Sequence, residues 1–200
     1  MSELTDFLKN QRNVHFQEGF CEQIKGQVEL LKKIGNEPNI KNIMEIGFNG
    51  GHSANLFLSL NPDIKVTSFD LGEHSYVYPA KEWIDNKYPS RHNLILGDSR
   101  SSIPTFIRKN PTKFDLIFID GGHQGDIPAL DIINCQYLAH IETIVIVDDT
   151  VLSENYQTHW TIQPTEAWKK FVNNGLISQI DSVEFEVGRG MSWGKYNISV

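Results

Sequence analysis

Six acidic side chains and one imidazole sit where apolar runs end. Glu45 lies in Ile43-Met44-Glu45-Ile46, and Asp70 closes Ile64-Lys65-Val66-Thr67-Ser68-Phe69. Asp98 follows Leu94-Ile95-Leu96-Gly97, Asp120 follows Leu116-Ile117-Phe118-Ile119, and Asp148-Asp149 follow Ile144-Val145-Ile146-Val147. Acids scattered at random would not recur at the same place in every run. A carboxylate accepts two hydrogen bonds at once, so an acid such as Asp70 can hold a pair of neighbouring hydroxyls. His123 stands three residues after Asp120, and an imidazole is a natural proton acceptor near neutral pH. Gly47, Gly50 and Gly51 follow the first run, where glycine permits positive φ and lets a ligand reach bare backbone.

A scaffold that gathers these acids must align the ends of several strands. The spacing predicts buried strands over residues 40–46, 64–70, 93–99, 114–120 and 143–149. Helices are expected between them: one opening at His52-Ser53, one from Val77 to Tyr88, one from Ser102 to Lys109 with Pro104 in its first turn, and one from Asp126 to Ala139 beginning near Pro128. A helix from Pro164 to Asn173 follows the irregular, Tyr- and Trp-rich stretch 151–163. Residues 177–187 and 191–200 then read as two strands joined through Gly188-Arg189-Gly190. Strands alternating with helices imply a parallel sheet with right-handed crossovers, and functional groups at its carboxyl edge. The expected architecture is α/β: a Rossmann-like, doubly wound, mostly parallel seven-stranded sheet with a C-terminal antiparallel hairpin. Residues 1–38 are expected as an N-terminal helical extension, with Phe20, Ile24, Val28, Leu31 and Ile34 on one amphipathic helix, and residues 39–200 as the core of a single domain.

Composition narrows the function. The 200 residues carry a net charge of −7, so no basic footprint for nucleic acid is present. No apolar run reaches membrane-spanning length, and the first residues lack a signal peptide's basic and apolar regions, so a cytoplasmic protein is expected. Cys21 and Cys135 are read as reduced core thiols.

Strand by strand, the chain from about Ile40 onward resembles a class I S-adenosylmethionine-dependent methyltransferase. Glu45-Ile46-Gly47-x-x-x-Gly51 is similar to that family's first motif, with Asn49 where many members carry glycine; Asn also takes up left-handed conformations. The resemblance implies that S-adenosylmethionine is held by Glu45, Gly47, Asn49, Gly51, Ser53, Asp70, Asp98, Ser99 and Asp120. Ile119-Asp120-Gly121-Gly122-His123 resembles methyltransferase family 24. Asp120 with Asp148-Asp149 resembles the metal site of catechol O-methyltransferase-like enzymes, which implies Mg²⁺ or another divalent cation on those three acids. Neighbouring carboxylates repel unless protonated or bridged by a cation. The same resemblance makes His123 the proton acceptor, acting beside Asp120. The alternative for His123 is a hydrogen-bonded loop residue, and for Asp148 or Asp149 a turn cap.

The implied reaction is methyl transfer to an oxygen of a small molecule with vicinal oxygens, such as a sugar or a catechol. Acceptor walls are expected from the N-terminal helix, Glu73–Tyr78, Tyr156–Trp160 and Trp193, with core packing the alternative for Trp168 and Trp193. The N-terminal helix and the terminal hairpin are candidate contacts in a homo-oligomer. Three rival readings stand beside it. The first is a metal-free N- or carboxyl-methyltransferase. A non-catalytic cofactor-binding subunit is the second. The third, an NAD-dependent oxidoreductase, needs Gly-x-Gly-x-x-Gly, whereas this turn is Gly-Phe-Asn-Gly-Gly.

Overall fold

The computed structural model describes residues 2–11, 20–110 and 112–198. Its centre is a seven-stranded sheet in the order β3-β2-β1-β4-β5-β7-β6. The strands are β1 (Asn42–Ile46), β2 (Lys65–Asp70), β3 (His92–Leu96), β4 (Phe114–Ile119), β5 (Ala139–Asp148), β6 (Ile177–Glu186) and β7 (Arg189–Tyr196). β1 to β5 pair in parallel, and β7 runs antiparallel between β5 and β6. The expected doubly wound sheet with a terminal antiparallel hairpin is therefore what forms.

Helices cover both faces because the central strands are apolar on both. Successive side chains of a strand point to opposite sides. Ile43, Leu116, Phe118, Ile144 and Ile146 pack toward α2 (Lys25–Gly35), α3 (His52–Leu60) and α4 (Val77–Lys87). Their chain neighbours Met44, Ile117, Ile119, Val145 and Val147 pack toward α5 (Ser99–Lys109), α6 (Ile127–Gln136) and α7 (Ile162–Asn173), around the fully buried Trp168. The chain winds from β1 outward to β3, then returns to β4 on the other side of β1. That reversal leaves a crevice between the ends of β1 and β4, the place where ligands bind in such sheets.

Several boundaries differ from the sequence reading. The N-terminal region is not one long helix: α1 (Glu3–Lys9) and α2 are separate, with a 3₁₀ turn at Cys21–Gln23. Phe20 is extended and its ring stacks on His52 at 4.0 Å, a tertiary contact that overrides the helical spacing of Phe20 and Ile24. The part of that helical reading over residues 12–19 lies outside the described residues, as do Ser199 and Val200 of the expected last strand. α5 starts at Ser99 because the Asp98 carboxylate accepts from Arg100 N at 2.9 Å, so Pro104 falls inside the helix rather than in its first turn. α6 ends at Gln136, and β5 starts at Ala139, earlier than expected, drawn by Phe114 N donating to Leu138 O at 2.9 Å. Among the described residues no helix is long and apolar enough to cross a membrane.

Candidate active site

The site grows from the seam between β1 and β4. Gly47 N donates to Phe69 O at 2.8 Å and Asp120 N to Ile46 O at 2.9 Å, so pairing continues just past the strand ends. Gly47 adopts φ +94°, and a Cβ there would lie 1.9 Å from the carbonyl oxygen of Asp120. No side chain fits at that crossing. Asn49 follows in the left-handed region at φ 49°. Its N–H donates to Asp70 Oδ2 at 2.8 Å, while Gly72 N donates to Asp70 Oδ1 at 2.7 Å. Backbone alone thus fixes the Asp70 carboxylate, leaving lone pairs on both oxygens for a ligand.

Two cavities open on either side of this seam. The first, about 290 Å³, lies over β1–β3 and is walled by Gly47, Asp70, Leu71, His74, Asp98 and Ser99. The second, about 390 Å³, lies over β4–β5 and is walled by Phe20, Gln27, His123, Asp149, Trp160 and Arg189. Asn49, Asp120 and Gly121 belong to both.

Charge is concentrated in the second cavity. One oxygen each from Asp120 and Asp149 and one nitrogen of His123 lie within 4.8 Å of one another. His123 Nε2 is 3.0 Å from Asp149 Oδ2, and Arg189 Nη1 is 3.6 Å from Asp149 Oδ1. Asp149 itself sits at φ 53°, a strained conformation held by its surroundings. Burial, then the charges of Asp148 and Asp149, push the Asp120 carboxyl well above the usual carboxylate range. Asp148 is pushed up by burial and by Asp149, although the Asp149 N–H and Gln27 Nε2 both donate to it.

A family profile described as a methyltransferase domain matches residues 44–150. The chain belongs to methyltransferase family 24. Its fold is that of class I S-adenosylmethionine-dependent methyltransferases. An O-methyltransferase from Bacillus cereus, solved with S-adenosylhomocysteine, superposes with a TM-score of 0.77 at 16% identity, over 96% of this chain and 89% of that one. TomG from Streptomyces achromogenes, an O-methyltransferase of tomaymycin synthesis solved with S-adenosylmethionine, gives 0.75 at 19% identity, over 98% and 90%. A Staphylococcus aureus protein assigned as a caffeoyl-CoA O-methyltransferase gives 0.74 at 17% identity, over 98% and 93%. No curated protein matches the sequence.

Within this methyltransferase the residues singled out from sequence fall into three groups. Gly47, Asn49, Asp70, Asp98, Ser99 and Asp120 line the first cavity. Asp98 is also committed to Arg100, whose guanidinium lies 2.6 Å away and holds the carboxyl below its usual range. Glu45, Gly51 and Ser53 line neither cavity. Glu45 is fully buried behind the glycine turn, accepting from Ser68 Oγ at 2.6 Å, and burial raises its pKa to about 7. Asp120, His123, Asp148 and Asp149 line the second cavity, but Asp148 stands outside the converging set because its carboxylate faces Gln27.

The acceptor walls also resolve differently. Glu73 and His74 face the first cavity, Trp160 faces the second, and Trp193 faces neither, packing instead against the core. The N-terminal helix does supply a wall, through Gln27, but neither Gln27 nor Arg189 is singled out by the sequence. Gln27 carried no signal, being one polar residue on an amphipathic helix. Arg189 carried a weak one, an arginine between two glycines of a turn.

Asp120 and Asp149, with His123 beside them, fit a divalent cation. Asp149 Oδ1 is buried without a hydrogen-bond partner, and the neighbouring acids are pushed toward protonation by one another. The donor set, two carboxylates facing an open cavity, has the oxygen character Mg²⁺ takes with added waters.

Proposed function

We propose that this protein transfers the methyl group of S-adenosylmethionine to a hydroxyl of a small molecule bearing vicinal oxygens. One observation carries the reading: two cavities meet at Asn49, Asp120 and Gly121, one built around a backbone-fixed carboxylate and the other around an acid–imidazole cluster. The likeness to O-methyltransferases solved with the cofactor or its spent form supports it.

In this reading Asp70 accepts from the ribose hydroxyls, while Gly47, Asn49, Asp98 and Ser99 line the rest of the donor cavity. Bound S-adenosylmethionine supplies an electrophilic methyl carbon on a sulfonium. Asp120 stands at the seam and lines both cavities. His123 accepts the proton of the acceptor hydroxyl, and Asp149 holds the imidazole through the 3.0 Å contact. A divalent cation on Asp120 and Asp149, with Asp148 close by, would lower the pKa of that hydroxyl. Holding donor and acceptor on either side of one seam is itself a large part of the rate enhancement.

The test is calorimetry with S-adenosylhomocysteine followed by methyl transfer to catechol with and without Mg²⁺. Binding at micromolar concentration and a Mg²⁺-dependent methylated product are expected. Absence of any heat with the spent cofactor overturns the proposal. A second reading, metal-free transfer with Arg189 as the countercharge, is favoured by the 3.6 Å approach of Arg189 to Asp149. Turnover that persists undiminished in a chelator selects it.

A further inference from the structure

We infer that the acceptor carries a carboxylate on the ring that bears its hydroxyls, and that Arg189 selects it. This rests on the acceptor assignment proposed above. Arg189 opens β7 and reaches into the second cavity with 30% of its side chain exposed. Its ion pair with Asp149 spans 3.6 Å, too long for a hydrogen bond. Among the described residues the guanidinium makes no hydrogen bond, and Arg189 lines the cavity, so its donors are open to a ligand there; a planar fork of donors matches a carboxylate with two parallel bonds.

Position adds the second part. His123 Nε2 meets one oxygen of Asp149 at 3.0 Å, and Arg189 Nη1 approaches the other at 3.6 Å. Imidazole and guanidinium are thus separated by the width of one carboxylate. An acceptor whose hydroxyl meets the imidazole shares its cavity with Arg189, since both residues line it. Trp160 supplies the flat wall. Its Nε1 donates to Gly188 O at 3.1 Å, and a Cβ on Gly188 would lie 2.6 Å from the indole, so the ring is pinned against the turn that presents Arg189. Pinned indoles favour flat partners.

Charge sets the valence. Three acids line this cavity, and Arg189 is the only lysine or arginine among the described residues that does. One guanidinium neutralises one monoanion, which suits a carboxylate better than a phosphate dianion. The acids repel an anion, and Arg189, 3.6 Å from Asp149, is where a fixed positive charge offsets that repulsion. The ligand class is a small ring acid with adjacent hydroxyls.

The experiment compares 3,4-dihydroxybenzoate with catechol, probes that differ by the carboxylate alone, in Mg²⁺ buffer with S-adenosylmethionine for turnover and S-adenosylhomocysteine for calorimetry. The natural chain is expected to prefer the acid by at least about tenfold in kcat/KM. In Arg189→Gln that preference should fall to about one, and Arg189→Lys should restore part of it. Melting curves and S-adenosylhomocysteine affinity check that the variants are folded. Equal use of both probes by the natural chain overturns the inference without any variant. So does an Arg189→Gln variant that keeps the preference, since Arg189 then only balances Asp149. Binding of S-adenosylhomocysteine with no heat from either probe removes the acceptor site itself, and this inference with it.

Discussion

The two cavities solve the problem of holding charge in opposite ways. Over β1–β3, the Asp70 carboxylate is met by two backbone N–H groups, Asn49 at 2.8 Å and Gly72 at 2.7 Å, in loops that directly follow the strands. Over β4–β5, Asp120, Asp148 and Asp149 crowd together, and Asp149 Oδ1 keeps no hydrogen bond. On the first side the Asp70 carboxylate is held before any ligand arrives. The second stores mutual repulsion that a cation or a bound acceptor relieves. A rigid, backbone-built side suits a ligand common to a whole family, and a charged, side-chain-built side suits the variable partner and the chemistry.

The contrast can be broken most directly at Asp149. Asp149→Asn keeps the shape but removes the charge between His123 and Arg189. It is expected to lower methyl transfer by about 10³-fold while S-adenosylhomocysteine affinity stays within about threefold. A matching loss of affinity, seen by calorimetry, would merge the two cavities into one functional unit. Gly47→Ala attacks the seam they share. With φ +94° and the Asp120 carbonyl 1.9 Å from the new Cβ, a methyl group cannot be placed without moving β4. The cost should be roughly 3 kcal/mol or more, read as a lowered denaturation midpoint; an unchanged midpoint would refute the tight crossing.

Asp70→Ala sharpens the comparison from the donor side. Losing a backbone-fixed carboxylate should weaken S-adenosylhomocysteine by about 2–3 kcal/mol, roughly 50-fold, with the acceptor side untouched. An affinity within threefold of the natural chain would reassign the first cavity. The smallest effect concerns Glu45, a fully buried acid hidden behind the turn. Its pKa is raised to about 7 by burial, so the folded chain binds a proton that the unfolded chain has released between about pH 4.5 and pH 7. Stability from this group is therefore complete below that window and declines as pH rises through it. Glu45→Gln cannot ionise and still accepts from Ser68, so it should gain about 2 kcal/mol over the natural chain at pH 8 and almost nothing at about pH 4. Parallel pH–stability curves for the two proteins would show that Glu45 stays charged in the fold.

Legibility followed the same divide. The strand–glycine–helix corner at Ile43–Ser53, Asp70 at the end of β2 and the left-handed Asn49 were readable because each depends on residues close in sequence. The helix over Phe20 and Ile24 was misread because the stacking of Phe20 on His52 is long-range. The start of α5 was placed late because Asp98 had been read as a strand end, whereas its carboxylate caps the helix.

By itself the sequence determined the seven strands, the acids near their carboxyl ends and the glycine at the seam. Continuous apolar runs mark which segments lie in a doubly covered sheet, and chain order then fixes where their ends gather. Only the tertiary structure decided which of those acids face one another. It turned Asp148 to Gln27, joined Asp149 to His123 and Arg189, and withdrew Glu45 from both cavities. A strand end sets where a side chain starts, but the direction of its carboxylate depends on donors brought from elsewhere in the chain, and no local pattern encodes those.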